Sequence, residues 1–439
     1  MNKRNTLLVK LCAALLLLGV ALPSWATCNK KSTSLQADSG YSAIIPFGKI
    51  NLPDPYFVPV GSLLASIVVP STNYTTLGAT GSTVFWECDQ ADLPNIYYLI
   101  ATNGDDRVGG NVDIGAQDGL DGVYATWFAY VGLRQTMSGV VVSRYWKKVP
   151  ITTYGTEGGK IQIRLQDIPP LQAELYRVST LPPAGVASFC AGIAYASSAG
   201  NMYTCTEPNT YIQLAGDDNV SFSFGHDKPG DDCATKYAFW GSDNGFGYGM
   251  RTANKLYSNP TCVARNVTPF VLFPTITANA LEEGQGVTGN FSVRVECSDA
   301  VTSGINDRQT ALGLQVSDGA YSAASTLGLV NGSGGVSALV SDNYFDSSMA
   351  KGVGITVANS KEPAKALTFV GQPGIATLTP GGNAAGWYPV LQGATKDGSS
   401  MAGYSWYTYD FIATLKKLNG QTVTPGKVHA TAYVLVKMQ

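Results

Sequence analysis

The sequence predicts an all-β protein of two domains, and three observations predict it. Apolar runs are short and alternate with period 2, turn residues interrupt them at close intervals, and two cysteine-bracketed segments repeat one grammar. The 439-residue chain holds 49 glycines and 23 tyrosines with only 14% charged residues, which favours strands joined by tight turns over helices. Two domains fit the roughly 410 residues left after the leader described next.

The first element is an export signal. Lys3, Arg4 and Lys10 precede the apolar run LCAALLLLGVALP, and Ser24-Trp25-Ala26 is a small-x-small cleavage site, so residues 1–26 read as a signal peptide and the mature chain as starting at Thr27. No later run has the ~20 apolar residues that span a bilayer. Export implies an oxidising compartment, and Cys12 leaves with the signal. Cys28, Cys88, Cys190, Cys205, Cys233, Cys262 and Cys297 remain, and with no C-x-x-C unit they read as structural disulfides rather than a zinc or redox site.

The segment from Cys28 to Cys88 opens the first domain. It ends in VFWEC, which places Val84, Trp86 and Cys88 on one face and Phe85 and Glu87 on the other. Strands are then expected in YATWFAYVGLR (124 to 134), SGVVVSRYW (138 to 146), KIQIRL (160 to 165), AELYRV (173 to 178) and ASFCAGIAYA (187 to 196), a spacing that fits a sandwich or barrel. From Asn201 to Asn254 the chain turns to Gly, Asp and aromatics, and LYSNPTC marks the domain boundary. The second domain repeats the grammar from Cys262 to Cys297, where NFSVRVEC points Phe291, Val293, Val295 and Cys297 inward and Ser292, Arg294 and Glu296 outward. The pairs Cys28–Cys88 and Cys262–Cys297 follow from the shared spacing and inward-facing positions. Of the remaining three thiols, Cys190–Cys205 closes the shorter loop and is the favoured bridge.

The Gly/Ser/Ala-rich stretch from Thr310 to Gly354 reads as long loops or an insertion. Strands resume in YTYDFIATLKK and end in VHATAYVLVKMQ. There Ala430, Ala432, Val434, Val436 and Met438 share one face, while His429, Thr431, Tyr433, Leu435 and Lys437 share the other.

Catalytic material is scarce. The chain has two histidines and no G-x-S-x-G elbow, Walker loop, H-E-x-x-H or C-x-x-C pair, so no enzyme is expected and no cofactor. A formal net charge of −2 without a basic block removes the footing for nucleic acid. His226, Asp227, Asp231 and Asp232 have metal-ligand chemistry, but a solvated acidic loop is the expected reading and no metal is assigned. Aromatics such as Trp127, Tyr130, Trp146 and Trp240 can stack on sugar rings while Asp and Asn bond hydroxyls. Trp240, Asp243, Asn244 and Trp127 are the candidate ligand-binding residues.

The region from Pro260 to Gln439 resembles the pilin domain of chaperone–usher fimbrial subunits. The residues that carry this are PTCVA, the Cys262 to Cys297 spacing, FSVRVEC, KGVGITV and the ending VTPGKVHATAYVLVKMQ, with Gly426 fourteenth from the C-terminus as in that family. The family's penultimate Tyr or Phe is Met438 here. Cys28 to about Tyr257 is similar to the receptor-binding domain of two-domain tip adhesins, through the position of Cys28, VGLR and LQAELYRVSTLPPAG, although Cys190, Cys205 and Cys233 depart from that pattern.

The resemblance implies residues 27–257 as adhesin domain and 258–439 as an incomplete immunoglobulin-like pilin domain completed by a donor strand. Ala432, Val434, Val436 and Met438 would line its groove. The partners implied are a periplasmic chaperone, an outer-membrane usher, the next subunit and a host glycan or glycoprotein, with the product exported through the periplasm to the fimbrial tip. Because Cys28 follows the expected cleavage closely, the chain would accept a donor strand without giving one. A structural tip or initiator subunit without a receptor, and an adhesin for extracellular-matrix protein, are the competing expectations.

Overall fold

Short strands dominate the computed structural model, which describes residues 27–184, 189–190, 192–236, 238–372 and 382–439. The expected signal peptide and part of the segment 187–196 lie outside them. Among the described residues the helices are brief and no sheet closes into a barrel. The chain divides into two compact units: Met1–Ile45, Ser66–Ile193 and Thr204–Arg251 form the first, and Pro46–Ala65, Ala194–Tyr203 and Thr252–Gln439 the second. The sequence places one cut near residue 257, whereas two earlier stretches of chain also join the second unit.

In the first unit, Val84–Asp89 lies between Thr27–Lys30 and Lys160–Arg164, and the Cys28–Cys88 disulfide staples it to the first of these. A second sheet is centred on Ile96–Thr102 and Thr210–Gly216, paired over seven residues. VFWEC departs from simple alternation because Phe85 and Trp86 are both buried. Phe85 stacks on Trp86 at 3.7 Å between centroids and takes the Lys30 ammonium over its ring, so both faces of this strand are covered. YATWFAYVGLR is two strands, Val123–Ala125 and Val131–Met137. Its interior forms a tight turn in which the Thr126 hydroxyl donates to Val131 O and accepts from Phe128 N, and Tyr130 adopts φ +60°. Cys190 pairs with Cys205, and Cys233 is a buried free thiol whose pKa burial pushes well up.

The second unit is a two-sheet sandwich. One sheet runs in the order Cys262–Val267, Val287–Ser298, Tyr404–Lys417, Val353–Asn359, and the other Trp387–Pro389, Thr310–Val316, Ala432–Met438. Val293, Val295, Tyr409 and Phe411 of the first share one core with Leu312, Leu314 and Val316 of the second, and Cys262–Cys297 bridges the paired strands at their directly opposed residues. The expected loop region 310–354 instead begins with a strand and a nine-residue helix, Asp318–Thr326. Ser317 caps this helix by accepting from Ala320 N at 3.2 Å, and its Ala320, Ala323 and Ala324 face the core, so small residues here are packing rather than loop.

Glu296 is the largest departure from the expected alternation. It sits on the outward face yet is fully buried, because Pro46–Ala65 covers that face. Tyr56 Oη donates to Glu296 Oε1 at 2.8 Å and Arg265 Nε to Oε2 at 2.8 Å, while Tyr56 and Phe57 each pack on Tyr404 at 4.9 Å. Gly48–Asn51 of the same stretch pairs in parallel with Asn254–Tyr257.

Candidate functional site

The final strand, Ala432–Met438, pairs antiparallel with Thr310–Val316 over seven residues and has no ladder partner on its other side among the described residues. An edge strand of this kind leaves alternate backbone N–H and C=O groups without a sheet partner. Its even-numbered residues turn toward the core as the alternation requires, but their cover fades along the strand. Met438 is buried, Val436 and Val434 are half-buried against the core, and Ala432 is exposed.

The edge of the facing sheet is Cys262–Val267, which lies near the final strand without exchanging ladder hydrogen bonds. Beyond it the chain continues as TPFVLF, where Val267 is 47%, Phe270 79% and Leu272 86% exposed. Between those residues, Val271 and Phe273 turn inward onto the core, beside the half-buried Val287 and Phe291. Gly289 permits this crossing, since a Cβ there would lie 2.6 Å from Val271 Cγ1. The result is a sandwich whose core is open along one side, rimmed by two edges and by exposed aliphatic and aromatic side chains.

Gly426 positions the final strand. A Cβ at this residue would fall 2.3 Å from Ala350 N and 2.5 Å from Met349 C, so only glycine lets the chain approach 348–350 closely. There Lys427 N donates to Ser348 O and Ala350 N to Lys427 O, each at 2.9 Å.

The candidate ligand residues of the first unit separate into different environments. Trp240 is 67% exposed and stands at the N-cap of the one-turn helix Gly241–Asn244, with Asp243 also exposed. Lys30 Nζ reaches Ser242 O of this turn. Burial lowers the Lys30 pKa, and the nearby Asp243 charge opposes that shift. Asn244 faces the other way and is fully buried. Its Oδ1 accepts from Trp86 Nε1 at 2.9 Å and Leu214 N at 3.3 Å, and its Nδ2 donates to Leu214 O and Gly225 O at 2.9 and 3.0 Å, so the whole amide is used in holding strands together. Trp127 is half-buried in the turn before Val131–Met137, and Trp146 is buried edge-on against Phe239 at 5.2 Å.

His226, Asp227, Asp231 and Asp232 have separate partners. Asp227 is buried and accepts from Gln213 Nε2, Ala238 N and Phe239 N. Asp232 pairs with Arg144 at 2.9 Å and Asp231 with Lys236 at 3.4 Å, while the His226 ring bonds Asp227 O. The one grouping of metal-ligand atoms among the described residues is Asp106 with Cys190 and Cys205, and those sulfurs are already joined as a disulfide. Sequence reasoning missed Glu207, which is buried near Asp38, Asp105 and Asp106; burial pushes its pKa up to about 6.

Residues 251–439 match the family described as fimbrial protein, and no curated protein sequence matches the chain. Among solved structures, the P pilus rod subunit PapA is 18% identical, with 40% of this chain and 92% of that chain covered and a TM-score of 0.23. The CupB6 tip adhesin from Pseudomonas aeruginosa is 9% identical, with 94% of each chain covered and a TM-score of 0.23. The open-sided sandwich thus falls within the residues that match the fimbrial protein family.

Proposed function

We propose that the chain is a tip adhesin of chaperone–usher fimbriae, with a receptor-binding domain near residues 27–257 and a pilin domain near 258–439. The observation that carries this reading is the fading cover along Met438, Val436, Val434 and Ala432 at an edge strand that has no second ladder partner among the described residues. A strand laid along that edge satisfies its backbone groups and inserts alternate apolar side chains over the exposed core, which is β-augmentation. A periplasmic chaperone would supply that strand first and the next subunit's extension would replace it at the outer-membrane usher. Residues 27–30 are held in a sheet beside the Cys28–Cys88 disulfide, so this stretch is engaged within the chain and is not free to serve as a donated strand.

Each large apolar side chain buried from water contributes roughly 1.5–3 kcal/mol, so three or four donor residues supply on the order of a small domain's whole stability. The chain expressed without a chaperone should aggregate, and the same chain with a donor strand fused after Gln439 should be a soluble monomer. An unfused, chaperone-free chain that is monomeric and unfolds cooperatively in its second unit would refute the reading. For the receptor, we propose a glycan bound around Trp240 and Asp243. The exposure of both supports them, Asn244 supports their turn from within, and Trp127 is a further contact. Glycan and matrix-protein arrays probed with the fused chain decide between a lectin, a matrix-protein adhesin and an initiator subunit with no receptor.

A further inference from the structure

The outer face of the strand pair Thr310–Val316 and Ala432–Met438 carries a polar recess of about 490 Å³ that strand donation does not use. Gln315 and Tyr433 stand directly opposite one another across the ladder, and Asp318, Asp342, Asn343 and Gln372 line the recess with them. Its volume lies within the ~300–1,000 Å³ of small-molecule sites.

The hydrogen-bond state of each group narrows the ligand. Asp342 is committed, since Oδ1 accepts from Ser317 Oγ at 2.5 Å and Thr431 N at 3.0 Å and Oδ2 from Thr431 Oγ1 at 2.7 Å. Gln315 and Gln372 donate their amides to Gly371 O and Val316 O at 3.2 and 2.9 Å, which leaves their side-chain oxygens as acceptors. The Asp318 carboxylate, the Asn343 amide and the Tyr433 hydroxyl have no side-chain hydrogen bond among the described residues, and the Tyr433 ring is 53% exposed.

Among the described residues no Lys or Arg lines the recess, and two carboxylates repel an anion. A hard cation takes about six to eight oxygens with several carboxylates among them, and Asp318 offers the one uncommitted carboxylate. Among the described residues no aliphatic side chain lines the recess to hold an apolar molecule. An amide that both donates and accepts and a carboxylate that accepts, beside an open aromatic face, match the hydroxyls and the C–H face of a sugar. We propose that this recess binds a neutral hexopyranose, as a carbohydrate site on the second unit separate from the receptor site proposed around Trp240.

The test is titration of the full chain with the methyl glycosides of glucose, galactose, mannose and N-acetylglucosamine, read by saturation-transfer NMR. At least one should bind with a Kd of roughly millimolar order. In a Trp240→Ala background, which removes the contact proposed for the receptor, Tyr433→Ala and Asn343→Ala should each weaken it about tenfold or more. The proposal is overturned if none of the four binds in that background, or if binding there survives both Tyr433→Ala and Asn343→Ala. It is equally overturned if calcium binds in a manner lost in Asp318→Asn while no glycoside does.

Discussion

Removing Arg265 should destabilise the second unit far more than a half-exposed arginine ordinarily would, because it leaves Glu296 ionised in a place water does not reach. The Arg265 side chain is 36% exposed and the Glu296 side chain 1%, with 2.8 Å between Nε and Oε2. In Arg265→Met the carboxylate retains Tyr56 Oη at 2.8 Å, and breaking a buried pair in this way costs about 3–5 kcal/mol. Tyr56→Phe removes one hydrogen bond to a charge, about 1.5–3 kcal/mol, while the ring stays on Tyr404. The two effects share one carboxylate and should not add. In a Glu296→Gln background no charge remains to strand, so the same Arg265→Met change should cost less than about 1 kcal/mol.

The assay is amide hydrogen exchange along Val287–Ser298, where about 1.4 kcal/mol is a tenfold change in protection. Arg265→Met should accelerate exchange roughly a hundredfold to several thousandfold in the parent and less than tenfold in Glu296→Gln. Burial acts to raise the Glu296 pKa, but its hydrogen bonds and the Arg265 charge overcome this and lower it. The stabilisation is therefore present above the unfolded value and lost as pH falls through the lower folded one, so variant and parent should converge only once pH drops below that folded value. Equal acceleration in both backgrounds would show that the effect is lost packing and that no buried charge is involved.

Two further outcomes concern the first unit. Asn244→Ala should lower its melting temperature by an amount equivalent to about 2–3 kcal/mol, since four strand-linking hydrogen bonds go with the amide, while Trp240→Ala should leave it nearly unchanged; calorimetry of the two variants compares them directly. Glu207→Gln should stabilise the first unit at pH 7 and become neutral near pH 4. A raised folded pKa means the native state holds the proton more tightly, so the parent loses stability as pH rises from the unfolded value through about 6. A melting-temperature difference between parent and variant that is independent of pH would contradict this.

The parts of the fold legible in sequence are those governed by neighbours two residues away. Apart from Glu296, FSVRVEC alternates as read, because period-2 burial needs only a sheet with one dry face. Phe85, which takes the Lys30 ammonium over its ring, and Glu296, which lies under a second layer of chain, break the alternation. For Glu296 that layer comes from Tyr56, 240 residues earlier, and no local pattern in either segment announces the meeting. The helix Asp318–Thr326 is a different kind of miss. Ser317 before an alanine-rich run is a capping signal, and the Gly/Ser content around it masked what its own residues favour. In GSDN the sequence marks a polar turn but cannot say which polar residue points inward, since in one helical turn Asp243 and Asn244 differ only by about 100° of rotation.

That same directional logic separates the two proposals made for the final strand. Val434 and Val436 point to the core, Tyr433 points to the opposite face, and the backbone groups of the free edge point along the sheet. A donor strand occupies the edge and covers the inward residues, whereas a sugar occupies the outward face. Charge at Val436 should therefore abolish strand capture through the exposed core. Truncation of Tyr433 removes an outward ring from a site that the donor's inward side chains do not enter. Neighbouring residues of one strand thus report on two different ligands because successive side chains leave a sheet in opposite directions.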